Sequence, residues 1–160
     1  MAALVARVLT VSDGVAEGTR EDKSGVALVE RLKAADFKVD EHSVCADGKG
    51  SVTNALRDLA KGFSGLIVTT GGTGFGPRDL TPEGTLAAIE REAPGLAEAV
   101  RRYGVENGVP TSVLSRGLAG TAGRTLIVNL PGSTGGVKDA LAVLGPLLAH
   151  VVSQLRGGDH

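Results

Sequence analysis

Three short and almost wholly apolar runs, residues 4–11, 65–70 and 125–129, each lead into a polar or glycine-bearing loop and then into a segment with helical spacing. Runs of Val, Ile and Leu without polar alternation fit strands covered on both faces, and such strands are parallel ones joined by crossover helices. The pattern predicts a three-layer α/β/α domain built on a mainly parallel sheet. A further strand is expected over 37–44, where apolar and charged residues alternate as they do nearer a sheet edge. Helix signals fill the gaps. Ser24 suits the cap of a helix in which Val26, Leu28, Val29 and Leu32 recur through Ala35, and Ser51 suits the cap of a second, closed by Gly62. Thr81, followed by Pro82 and Glu83, suits the start of a third. Residues 93–95 should break it before a more charged helix ending near Gly104, and Gly145-Pro146 should kink or interrupt the last helix.

At 160 residues the chain has the size of one domain, and no linker or internal repeat divides it. A single domain over 1–156 is expected, with a disordered tail over 157–160 where nothing can pack. The 17 Lys and Arg against 18 Asp and Glu leave a net charge of −1, and only Phe37, Phe63, Phe75 and Tyr103 are aromatic, which argues against nucleic acid as a partner. Apolar runs fall short of the roughly 18 residues of a membrane span, and residues 1–9 lack a separate charged region and a cleavage site, so a cytoplasmic protein without a membrane partner is expected. Cys45 is alone and His42, His150 and His160 are scattered, which leaves no intramolecular disulfide and no zinc cluster. His150, between apolar neighbours, should pack.

In open α/β sheets, ligands bind beyond the carboxyl ends of the strands. The loops Ser12-Asp13-Gly14, 71–79 and 131–136 should therefore converge on one pocket. Gly71, Gly72 and Gly74 with Thr73 form either an anion cradle ahead of a helix or a tightly packed turn. The loop lacks the lysine of a Walker A motif and the spacing of a dinucleotide fingerprint. Asp79 is a helix-capping acid or a carboxylate able to hold Mg²⁺ against phosphate oxygens, and Asp47 is a turn residue or a second such carboxylate. Arg78, Arg116 and Lys138 flank the loops and are either solvated surface or polyanion partners. No nucleophile–base triad can be assembled.

The segments 69–74 (TTGGTG) and 77–83 (PRDLTPE) resemble the signature of the molybdopterin-binding Mog/MoaB family, shared with the gephyrin G domain. Further similarity lies in 11–13 (VSD) with 22–25 (DKSG), 92–95 (EAPG), 114–116 (LSR) and 129–132 (NLPG), in one order along nearly the whole chain. The resemblance implies a molybdopterin adenylyltransferase in molybdenum cofactor biosynthesis, forming adenylyl-molybdopterin and pyrophosphate from molybdopterin and Mg-ATP. It also implies a homotrimer and hand-over of the product to a molybdenum insertase. On this resemblance the catalytic aspartates are Asp47 and Asp79, which also hold Mg²⁺. Substrate contacts fall on Ser12, Asp13, Gly71, Gly72, Thr73, Gly74, Arg78, Ser115, Arg116, Pro131, Gly132 and Ser133. Ala46 stands where the family often has proline, and Ser133 where it often has asparagine. A carrier or scaffold that binds molybdopterin without turnover is the alternative, and a trimer whose glycine loops serve only packing is another.

Overall fold

The computed structural model describes residues 4–158. Strands β1 (Leu4–Val11), β2 (Phe37–Cys45), β3 (Gly65–Thr70), β4 (Arg91–Glu92), β5 (Ala119–Ala122) and β6 (Thr125–Leu130) form one sheet in the order β2-β1-β3-β6-β5-β4. The pairings among β2, β1, β3 and β6 are parallel, and β5 and β4 continue the sheet antiparallel. Helices α1 (Asp13–Glu17), α2 (Lys23–Ala34), α3 (Lys49–Ala60), α4 (Thr81–Ala88), α5 (Pro94–Glu106) and α6 (Thr134–Leu155) fill the connections, with a 3₁₀ turn at Pro110–Leu114. The expected three-layer α/β arrangement with a mainly parallel sheet is what forms.

Alternation along the strands divides the core into two faces. Ala6 and Val8 of β1, Leu66 and Val68 of β3, and Leu126 and Val128 of β6 meet Leu28 and Leu32 of α2 and Val137, Leu144 and Leu148 of α6. Leu9, Val11, Ile67 and Ile127, one residue out of step, meet Val52, Leu56 and Leu59 of α3. A strand covered by helices on both sides has no solvent face, which is why the three runs read as continuously apolar.

Several local readings are corrected. Asp22, not Ser24, caps α2, because its carboxylate Oδ1 accepts the Gly25 N–H at 3.0 Å and the helix starts earlier. Gly48, at φ 113°, precedes α3, and the Ser51 hydroxyl instead donates to the Ala46 carbonyl at 2.7 Å. Thr81 is already helical, and its hydroxyl donates to the Gly71 carbonyl at 2.9 Å. The polar loop that follows residues 4–11 contains α1, and β4 and β5 carry too few bulky residues to announce themselves.

Residues 134–155 form one uninterrupted helix through Gly145-Pro146, with Pro146 and Ala142, whose carbonyl the proline leaves unbonded, both on the exposed side. At 22 residues this helix is long and apolar enough to cross a membrane by length and composition, contrary to the sequence expectation. Here Val137, Ala140, Leu144, Leu148 and Val152 bury one face of it in the core. His150 is exposed rather than packed. The N–H groups of Gly157 and Gly158 close the helix on Gln154 and Ser153 carbonyls, while Asp159 and His160 of the expected tail lie outside the described residues.

One buried amide ties the sheet to both sides of the loop region. Asn129 Nδ2 donates to the hydroxyls of Thr69 at 3.1 Å and Thr85 at 2.9 Å, and its Oδ1 accepts the Leu118 N–H at 3.0 Å. Truncation would orphan that N–H and two hydroxyls. Asn129→Ala should lower stability by about 3 kcal/mol, read as an earlier urea midpoint at unchanged slope.

Candidate functional site

The chain leaves β1 for β2 on one side and reaches β3 on the other, so the carboxyl ends of β1 and β3 form a topological switch point. Loops after β1, β2, β3 and β6 meet there. The first two are stitched by a reciprocal pair. The Asp13 N–H donates to Asp47 Oδ2 at 2.9 Å, and the Asp47 N–H donates to Asp13 Oδ1 at 3.1 Å. Arg78, from the glycine loop, donates to both Asp13 oxygens at 2.5 and 3.0 Å and to the Asp47 carbonyl at 2.9 Å. One guanidinium thus fixes three loops. The Arg78 hydrogen bond holds the Asp13 carboxyl below the usual aspartate range, helped by the Asp47 N–H against a smaller opposing effect of desolvation.

The glycine loop is packed as tightly as it is permissive. Gly71 has φ 102° and Gly72 φ 68°, and a Cβ on Gly71 would lie 2.2 Å from the Val11 carbonyl oxygen. A Cβ on Gly72 would lie 2.2 Å from the Thr81 hydroxyl and 3.3 Å from Asp47 Oδ1. Gly132 faces Gly71 so closely that its Cβ would sit 3.3 Å from the Gly71 Cα. Only glycine fits at 71 and 72, by backbone angle and by space. Asp79 returns to its own loop, accepting the Gly76 N–H on Oδ2 at 2.9 Å.

Arg116 secures the other end of that loop. Its backbone N–H donates to the Thr73 carbonyl at 2.9 Å, and its guanidinium donates to the carbonyls of Gly74 at 2.9 Å and Asp79 at 2.6 Å. The same group pairs with Glu83 and lies over the Phe75 ring, 5.7 Å from its centroid. The Arg116 hydrogen bond holds the Glu83 carboxyl below the usual range, against desolvation.

Two adjoining cavities result. A polar one of about 440 Å³ is lined by Ser12, Asp47, Gly71, Gly72, Asp79 and Gly132, among others. A largely apolar one of about 390 Å³ holds Thr73, Gly74, Ser115 and Pro131, with Val100 and Leu114 on its wall. Ser133, which caps α6 by accepting the Gly136 N–H, lines both. The single expected pocket is therefore a pair of chambers. Asp13, Arg78 and Arg116 line neither, being engaged with protein partners, and exposed Lys138 also stays outside. Sequence reasoning missed Arg20 and Lys23 in the polar chamber and Arg101 in the apolar one, where Arg101 Nη1 donates to the Ser115 and Gly117 carbonyls. Lys23 lies inside the 22–25 segment, whereas Arg101 sits mid-helix without a local signal. Among the described residues no group of three or more His, Cys, Asp or Glu could hold a metal unaided.

A depressed native carboxyl stabilises the fold fully above the ordinary aspartate range and loses that contribution as pH falls through its native value. The NMR titration of Asp13 should therefore fall below that range in the wild type and move back up in Arg78→Gln. An unmoved titration would show that Arg78 does not clamp the loops.

The family model described as a probable molybdopterin binding domain matches residues 7–150. A molybdenum cofactor biosynthesis bifunctional protein of Chlorobaculum tepidum is 38% identical over 154 residues, covering 96% of this chain and 49% of the relative. The chain thus spans about half the length of the bifunctional relatives it matches. A molybdopterin adenylyltransferase of Helicobacter pylori is 34% identical, with 94% of this chain and 86% of the relative covered. The solved structure of the molybdopterin biosynthesis Mog protein from Mycobacterium ulcerans superposes with a TM-score of 0.88 at 46% identity, covering 96% of this chain and 99% of the other. With most of its length matched by the family model and by relatives of comparable size, the chain belongs to the molybdopterin-binding domain family of molybdenum cofactor biosynthesis.

Proposed function

We propose that this protein is a molybdopterin adenylyltransferase, transferring the adenylyl group of Mg-ATP to molybdopterin with release of pyrophosphate. The observation that carries the reading is the pair of chambers joined at Ser133, one polar with two aspartates and one largely apolar. A flat pterin suits the apolar chamber, where Thr73, Ser115 and Ser133 offer polar contacts. A triphosphate suits the polar chamber, between the loops that carry Ser12, Gly71, Gly72 and Gly132.

Mg²⁺ arrives with the nucleotide as part of the substrate. The donor set fits it: Asp47 and Asp79 each commit Oδ2 to a backbone N–H, which leaves Oδ1 of each for a cation that phosphates and water also ligate. When bound, the ion neutralises phosphate charge and orients the triphosphate. The terminal phosphate oxygen of molybdopterin attacks the α-phosphorus, a new P–O bond forms, and the bond to the bridging oxygen breaks, its electron pair leaving with pyrophosphate. The attacking oxygen belongs to the substrate, so the protein supplies position and electrostatics rather than a nucleophile. Ser133 stands at the junction where the two substrates meet.

We extend the reading to a cytoplasmic homotrimer that passes its product to a molybdenum insertase. Exposed Val105, Val109 and Val113 beside the apolar chamber offer surface for a subunit contact. Light scattering at micromolar concentration should give three times the mass of the chain, and a monomer would remove the trimer while leaving both chambers.

Asp79→Asn keeps the size of the side chain and an acceptor for the Gly76 N–H but removes the charge. Turnover measured as adenylyl-molybdopterin formed at saturating Mg-ATP should fall by about 100-fold or more, with molybdopterin affinity and melting temperature nearly unchanged. Asp47→Asn should act in the same direction. Near-normal turnover in Asp79→Asn contradicts the mechanism, and molybdopterin binding without any product in the wild type identifies a carrier instead.

A further inference from the structure

A chamber that admits a triphosphate beside carboxylates needs cations, and the arginines nearest the glycine loop are already committed. Arg78 serves Asp13 and the Asp47 carbonyl, and Arg116 serves Glu83 and the carbonyls of Gly74 and Asp79. The cations that do line the polar chamber are Arg20 and Lys23. Among the described residues neither side chain has a hydrogen bond or an ion pair.

Their segment is nonetheless held in place. The Arg20 N–H donates to the Gly14 carbonyl at 3.2 Å, and its side chain packs so near Gly14 that a Cβ there would lie 3.1 Å from the Arg20 Cβ. Asp22, between the two cations, accepts the Gly25 N–H at 3.0 Å and the Thr10 hydroxyl at 2.7 Å, and pairs with His42 Nε2 at 3.0 Å. The backbone is anchored while the guanidinium and ammonium heads are left uncommitted. The charge around them calls for an anionic ligand carried with a cation: Glu21, Asp22, Asp47 and Asp79 line the same chamber, and only Asp22 is satisfied by this local network. Arg20 and Lys23 line the polar chamber and not the apolar one, whereas the reacting phosphate must lie by Ser133, which both chambers share.

We infer that Arg20 and Lys23 hold the β- and γ-phosphates of the bound nucleotide and, after transfer, the pyrophosphate product. The inference rests on the adenylyl-transfer reading for its substrate, but it names a diphosphate site that can be titrated without turnover. Cations placed here act on the leaving group, where charge accumulates as the α–β bridge breaks. Arg offers a planar fork and Lys a mobile point charge, which together suit a chain of two phosphates.

Calorimetric titration of the full-length protein with Mg-pyrophosphate, Mg-ATP and AMP tests this. Each lost charge-assisted contact should weaken binding by about tenfold. Arg20→Gln/Lys23→Gln should therefore bind Mg-pyrophosphate and Mg-ATP at least tenfold more weakly than the wild type, with AMP affinity within about twofold and an unchanged melting temperature. Arg20→Lys/Lys23→Arg should retain most of the affinity. Equal Mg-pyrophosphate binding by the wild type and the Gln pair, or none by the wild type, overturns the inference. Pyrophosphate binding that depends on Arg20 and Lys23 in a protein that makes no adenylyl-molybdopterin upholds the site and removes the adenylyl-transfer reading instead.

Discussion

The exchange of backbone N–H groups and carboxylates between Asp13 and Asp47, closed by Arg78, is the contact on which the site depends. Loops after neighbouring parallel strands have no ladder to hold them in register beyond the sheet. Here Asp13 follows β1, Asp47 follows β2 and Arg78 follows β3, so a single cluster fixes three strand ends relative to one another. Charge-assisted hydrogen bonds are the stronger kind, and three loops anchored by them present their remaining groups in a defined arrangement. Asp47 illustrates the outcome: Oδ2 is spent on the clamp, and Oδ1 is left near Gly72 at the chamber wall.

The glycine loop closes the same arrangement from the other side. Gly71 and Gly72 let the chain pass against Val11 and Thr81 where no side chain would fit, and Arg116 pins Thr73, Gly74 and Asp79 from the far end. Asn129 and Thr81 tie this loop region to the core, through Thr69 and Thr85 in one case and the Gly71 carbonyl in the other. Under the proposed adenylyl transfer, which uses no protein nucleophile, two substrates must be placed against each other, and rigid loops serve that placement.

The architecture was legible because a parallel sheet writes itself as apolar runs: residues 4–11, 65–70 and 125–129 announced β1, β3 and β6 to within a residue. β4 and β5 were not, since two residues and an Ala-Gly-Thr-Ala stretch carry no apolar period. Helix starts went astray where a side chain had a better partner at a distance. The hydroxyls of Ser51 and Thr81 donate to carbonyls of other turns instead of accepting within their own helices. The site divides in the same way. Asp47, Asp79 and the glycines lie where the loop logic puts them, whereas Arg78 and Arg116 are engaged with protein partners, each meeting a carboxylate more than thirty residues away in sequence. Local sequence cannot reveal which cations are consumed by such pairs and which, like Arg20 and Lys23, are left for a ligand.

A crystal structure with molybdopterin and a non-hydrolysable Mg-ATP analogue tests the proposed arrangement of two substrates across Ser133 most directly. The triphosphate should lie in the chamber of Asp47 and Asp79, the pterin in the chamber of Thr73 and Ser115, and the pterin phosphate should face the α-phosphorus beside Ser133. Both ligands competing for one chamber, or a triphosphate bound away from the two aspartates, would contradict it.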